Sequence, residues 1–137
     1  KNVLMLLNLQ KNIETNFVSV CPEMNLGSLL NDAVAKSNRN IFPVIDEESQ
    51  FLGIVLLDDI RPIMFDQKLY ETVSVSAIMK SAPAIIFHND STEIVMKKFK
   101  DSGAWNLPVV EGGKYIGFIS KSKLLTAYRN KLIEVTT

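Results

Sequence analysis

The sequence predicts a mixed α/β (α+β) layered fold built from two copies of one unit. Each copy runs strand–helix–strand–strand–helix, and the two are expected to pack with pseudo-two-fold symmetry. Three observations predict this. The words NIFPVIDEESQFLGIVLLDDI (Asn40–Ile60) and NLPVVEGGKYIGFISKSKL (Asn106–Leu124) carry the same features in the same order. The anchors keep register: Pro43 and Pro108 are spaced by 65 residues, and Gly53 and Gly117 by 64, so one residue is lost from the second turn. Apolar positions at helical spacing alternate with short apolar runs closed by turn residues. Half a chain of this kind cannot bury its own apolar faces well. The copies are therefore expected to pack on one another, with the cleft between them as the place for function.

Lys1–Asn12 holds a dense apolar cluster (Val3, Leu4, Leu6, Leu7, Leu9), read as a short lead-in helix or strand. Phe17–Val20 reads as a short strand closed by Pro22. Leu26, Leu29, Leu30, Ala33 and Val34 predict a helix over Asn25–Lys36. Ile41–Ile45 and Phe51–Leu57 read as strands joined by the polar turn Asp46–Gln50. Asp58 or Asp59 is the expected N-cap of a helix through Phe65, with Pro62 in its first turn. The segment Asp66–Ser76 has no Gly, Pro or Ser bias and is expected to be ordered. The second copy repeats the order: strand Ala84–Phe87, helix Thr92–Ser102 starting at the acidic Asp90–Glu93, strands Leu107–Val110 and Tyr115–Ile119, and turn Glu111–Lys114. Ser120 or Ser122 then caps a last helix to about Leu132. Val44, Ile54, Val109 and Phe118 sit mid-strand and are expected in a shared core.

At 137 residues and 47% hydrophobic composition the chain is long enough for a real core. Fifteen basic and fifteen acidic side chains cancel, which removes a broad electrostatic case for nucleic acid. The lone Cys21 has no internal disulfide partner and reads as a small buried thiol. No run approaches the roughly 18–20 apolar residues that span a bilayer. The start at Lys1, inside VLMLLNL, reads as the end of a larger protein.

The order of a Pro-led strand, a hairpin and a Gly-hydrophobic-hydrophobic strand leading into a helix resembles the CBS domain, which comes in tandem as one module. The resemblance divides the chain into a lead-in (1–12), a first repeat (13–66), a second repeat (70–130) and a tail (131–137). SNRNIFPVIDEESQFLGIVLLDDIRPIMF (Ser37–Phe65) and GAWNLPVVEGGKYIGFISKSKLLTAYR (Gly103–Arg129) further resemble the C-terminal cytoplasmic CBS pair of bacterial, Bacteroidetes-like CLC-type chloride channels. That resemblance implies a soluble piece on the cytoplasmic side of the inner membrane. Its partners would be a second copy of the chain and the membrane transport domain of the same polypeptide.

Family members bind adenosine nucleotides in clefts between the repeats, through a Gly-x-x-Ser/Thr-x-x-Asp word at the strand-to-helix junction. Glycine admits ligand to the backbone, the hydroxyl meets phosphate, and the carboxylate accepts from ribose hydroxyls. The first copy has Gly53 and Asp59 but Leu56 in place of the hydroxyl; the second has Gly117 and Ser120 but Lys123 in place of the carboxylate. Neither word is complete, so no cofactor is required, and AMP, ADP or ATP is expected to bind weakly. If one binds, the copy with Ser120 and Lys123 is favoured, because an ammonium attracts phosphate. Asp59 and Ser120 equally read as plain helix caps, worth about 1 kcal/mol each.

Other residues take structural readings. His88 is the only histidine, which excludes a catalytic His dyad within the chain. Asp46-Glu47-Glu48 reads as a turn rather than a cation site. Adjacent Asp58 and Asp59 diverge on a helix and make a poor acid–base pair. Trp105 is read as a packing anchor. No nucleophile–base pair, metal cluster or complete phosphate loop is legible, so the expectation is a regulatory module and not an enzyme. The alternative is a nucleotide-sensing CBS pair of another host, such as a metabolic enzyme or a metal-ion transporter.

Overall fold

In the computed structural model, which describes residues 8–136, the elements follow the doubled order. β1 (Ile13–Glu14) precedes α1 (Leu26–Asp32), β2 (Ile41–Ile45), β3 (Phe51–Leu56) and α2 (Leu57–Ile60). Then come α3 (Val75–Ile78), β4 (Ile86–Phe87), α4 (Thr92–Ser102), β5 (Asn106–Glu111), β6 (Lys114–Ser120) and α5 (Lys121–Thr136). One sheet has the order β1-β6-β5-β4 and a second is the β2-β3 pair. Most of the apolar lead-in cluster lies outside the described residues; its end, Leu9–Asn12, is a 3-10 turn.

The chain forms two compact units that do not follow the sequence halves. The first-copy unit comprises Asn16–Ala82 with Gly113–Tyr115, and the second-copy unit takes Pro83–Gly112, Ile116 onward and the described residues up to Thr15. Each has its own core. In the first, Leu26, Leu29, Phe42, Val44, Val55 and Ile60 pack together and are fully buried. In the second, Ile86, Val95, Phe99, Leu107, Val109 and Leu124 do the same. All four mid-strand residues expected inside are buried, Phe118 at 0% and Ile54 at 3% exposure. Val44 and Val109 belong to separate clusters, one in each unit.

The repeat is visible in individual hydrogen bonds. Asn25 Oδ1 accepts the Ser28 N–H at the start of α1, and Ser91 Oγ accepts the Ile94 N–H at the start of α4. The Leu57 N–H donates to the Asn40 carbonyl at 2.9 Å, and the Lys121 N–H donates to the Trp105 carbonyl at 2.8 Å. Val20 bridges Val44 in parallel, as Ile86 pairs with Val109. These are the same bonds made twice from matched positions.

Several expectations need correction. Phe17–Val20 is not a strand: only Val20 makes a bridge, through Val44. The first-copy helix ends at Asp32 and tightens into a 3-10 turn over Val34–Lys36. The predicted helix through Phe65 is a single turn whose N-cap is Leu56, with Asp58 and Asp59 inside the first turn. Pro62 follows directly, and its ring denies the next turn a backbone donor. The last helix runs past Leu132 to Thr136, so the expected tail is helical over its described residues. Trp105 is 64% exposed and anchors no core; the Lys121 ammonium lies 5.0 Å from its ring centre. Asp66–Ser76 is ordered as expected, through a 3-10 turn over Gln67–Leu69. The Asp46 carboxylate organises its own turn, accepting the N–H groups of Glu48 and Gln50 at 2.9 Å.

Ile54→Asp tests the strand register. A carboxylate at this buried position must leave water, and the loss of stability is expected to exceed about 3 kcal/mol. Thermal melting followed by circular dichroism measures it. A variant that melts like the parent would show that Ile54 does not face a core.

Candidate functional site

The site residues lie at the two strand-to-helix junctions, β3 into α2 and β6 into α5. At the first, Gly53 sits at the middle of β3 with its backbone pressed against Lys80. A Cβ added there would lie 2.7 Å from the Lys80 carbonyl oxygen. The approach is fixed by an antiparallel bridge: the Ile54 N–H donates to the Lys80 carbonyl at 2.8 Å, and the Lys80 N–H to the Ile54 carbonyl at 2.9 Å. Glycine at this position is therefore explained by the chain itself.

At the second junction Gly117 takes φ +154, and an added Cβ would lie 2.6 Å from both the Glu14 carbonyl oxygen and Ile13 Cγ2. The strand pressed against it is β1, with Ile13 opposite Ile119 and Glu14 opposite Phe118. Both glycines thus admit a lead-in segment alongside the strand that enters the helix.

Six residues after each glycine the charged position is engaged. The Asp59 carboxylate pairs with the Lys80 ammonium at 3.0 Å, both half-exposed. The Lys123 ammonium pairs with the Glu14 carboxylate at 2.8 Å, and the Glu14 side chain is only 11% exposed. Asp58 turns away to Arg61, as expected for neighbours on a helix. Ser120 Oγ accepts the Lys123 N–H at 3.3 Å and lies 3.0 Å from Ser122 Oγ, so it caps α5. Leu56, at the matching position, offers no side-chain cap.

The structure thus gathers Gly53 and Asp59 around Lys80, and Gly117 and Lys123 around Glu14, while Ser120 caps the helix start beside them. The Lys123 ammonium, expected to attract phosphate, is here paired with the Glu14 carboxylate. Sequence reading missed Lys80 and Glu14. The signal was present, since residues 14 and 80 occupy the same place relative to the matched N-caps Asn25 and Ser91 and carry opposite charges. Among the described residues no cluster of metal-ligating side chains forms and no helix is long and apolar enough to cross a membrane.

Two copies of a Gly-centred strand running into a helix, each carrying its own polar set, define a tandem-repeat module. A family model described as CBS domain matches residues 11–66 and again 75–130, so the chain belongs to the CBS domain family. Solved structures agree on the fold. A CBS domain protein from Streptococcus pneumoniae TIGR4 is 20% identical with a TM-score of 0.76, covering 94% of this chain and 91% of that one. The CBS domain of a bacterial CNNM/CorC family Mg2+ transporter, in complex with ATP, is 15% identical with a TM-score of 0.76, covering 92% and 89%. CbpB in complex with c-di-AMP is 18% identical with a TM-score of 0.76, covering 96% and 91%.

Gly117→Ala is expected to destabilise the fold by about 2 kcal/mol, because the new methyl collides with the β1 backbone, which has no rotamer to move away. Denaturant melting checks this. Hydrogen exchange should show faster exchange at the amides of β1 than at those of α4. Unchanged stability would mean that β1 does not lie against Gly117.

Proposed function

We propose that the chain is a non-catalytic regulatory CBS pair of a membrane transport protein, working on the cytoplasmic side as a homodimer and responding only weakly to adenosine nucleotides. The observation that carries the reading is the divided polar set. Asp59 has no hydroxyl beside it at Leu56, Ser120 has no carboxylate beside it at Lys123, and both charged groups already hold internal partners. Membership of the CBS family supports the regulatory role, and two of the similarly folded modules were solved with ATP and with c-di-AMP. The wording of Ser37–Phe65 and Gly103–Arg129 supports a CLC-type chloride transport protein as host, through a membrane transport domain in the same polypeptide. The likeness to the Mg2+ transporter module supports the second reading, a metal-ion transporter host. Balanced charge argues against a nucleic-acid partner.

A ligand entering either junction must displace an ion pair and then go without one of its expected hydrogen bonds. A missing bond to a charged group costs roughly 1.5–3 kcal/mol, or one to two decades of affinity. AMP, ADP and ATP are therefore expected to bind with a dissociation constant no tighter than about 100 μM, near −5.5 kcal/mol. Isothermal calorimetry is the measurement. Leu56→Thr, which supplies the first copy's missing hydroxyl, should tighten binding by about tenfold. Low-micromolar binding by the unmodified chain would overturn the weak-sensor reading.

The homodimer is supported by apolar side chains left exposed along α5, among them Leu132, Ile133 and Val135. Two-fold pairing is also the commonest closed symmetry. Sedimentation velocity at micromolar concentration should show a dimer. A species that stays monomeric at 100 μM would remove dimer contacts from the proposal.

A further inference from the structure

Glu14 and Lys80 stand in equivalent places, each 11 residues ahead of a helix N-cap, Asn25 or Ser91. Asp59 and Lys123 are equivalent in turn, each six residues after a strand glycine. Each lead-in crosses to the copy that it does not introduce. Glu14 precedes the first copy yet packs on Gly117, and Lys80 precedes the second yet packs on Gly53.

The backbone contacts at the two glycines do not by themselves discriminate between the dockings. Both lead-ins place a carbonyl against a glycine and pair antiparallel with the same stretch of the matched strand, Glu14 with Phe118 and Lys80 with Ile54. The residues just before them, Ile13 and Met79, are both apolar, so side-chain hydrophobicity discriminates poorly as well. Charge does discriminate. In the observed docking Glu14 meets Lys123 at 2.8 Å and Lys80 meets Asp59 at 3.0 Å. Were each lead-in to dock on its own copy, Glu14 would face Asp59 and Lys80 would face Lys123. Two attractions would become two repulsions at once.

We infer that these two ion pairs form a charge key that fixes which lead-in segment docks on which copy. An exposed ion pair contributes little to stability, but specificity depends on the difference between the right and the wrong pairing. Here that difference is counted at both junctions in the same sense. It is enlarged at the second junction, where the Glu14 side chain is 11% exposed and water screens it poorly. The key is independent of any ligand and concerns how the two copies assemble from nearly equivalent parts.

The test uses the whole chain and charge reversal. Glu14→Lys and Lys80→Glu each break one pairing; together they exchange the charges of the two lead-ins. Adding Asp59→Lys and Lys123→Glu reverses all four positions and restores both attractions. Each single reversal is expected to lower the melting midpoint by about 3–5 °C, the double to recover most of that loss by exchanging its lead-ins, and the fourfold variant to recover it in the parent's docking. Carbodiimide cross-linking with peptide mapping reads the docking directly. The unmodified chain should link position 14 to 123 and position 80 to 59, and any folded double variant should link 14 to 59 and 80 to 123. If the double variant does not fold, recovery in the fourfold variant supports the key and its failure overturns it. A folded double variant that keeps the parent's links, 14 to 123 and 80 to 59, also overturns it.

Discussion

The close approach of a lead-in carbonyl to a strand glycine is the constraint from which the rest of each unit follows. At Gly53 and Gly117 there is no room for even a methyl group, because the Lys80 and Glu14 carbonyls lie where it would be. That absence lets an extra segment pair with the strand that enters the helix, which gives the strand a partner on a second edge. Once the segment is seated, its side chain reaches the first turn of the following helix. The ion pairs Lys80–Asp59 and Glu14–Lys123 are consequences of that seating. The helix starts are thereby tied to the strands before them through side chains as well as through the chain itself.

This constraint bears on how the family word is read. A glycine at the strand-to-helix junction has two physical uses: admitting a ligand and admitting another part of the chain. Here the second use is filled at both junctions. The acidic or basic residue six positions on has a partner from the same segment, so the residues that would greet a nucleotide also hold the unit together. Packing alone therefore already engages these groups.

Much of the fold was legible because it is written twice. The hairpin strands, the helix at Thr92–Ser102 and its Ser91 cap follow from apolar spacing and turn residues, and each copy checks the other. Failures cluster where tertiary contacts override local preference. The helix expected after Asp58 stops after one turn because Pro62 removes a donor, although the apolar spacing continues through Phe65. Trp105 looked like a core anchor from its neighbour Pro108, but its place at the junction, with its carbonyl accepting the Lys121 N–H, turns the indole outward. The ligand-type residues were found in sequence, while their partners were not. Glu14 and Lys80 lie in segments with little periodicity, and only comparison of the two copies reveals them as a matched, oppositely charged pair.

Trp105 also gives the molecule a built-in optical probe. It is the only tryptophan in the chain, its indole is largely in water, and a lysine ammonium rests 5.0 Å above the ring. Its own carbonyl holds the first residue of the last helix at 2.8 Å. Emission from this one indole therefore reports on the β6–α5 junction alone, with a red-shifted maximum set by its exposure and an intensity set by the position of the Lys121 charge. Any event that tilts the last helix, whether the arrival of a small anion or of a second chain, is written into the fluorescence without a label.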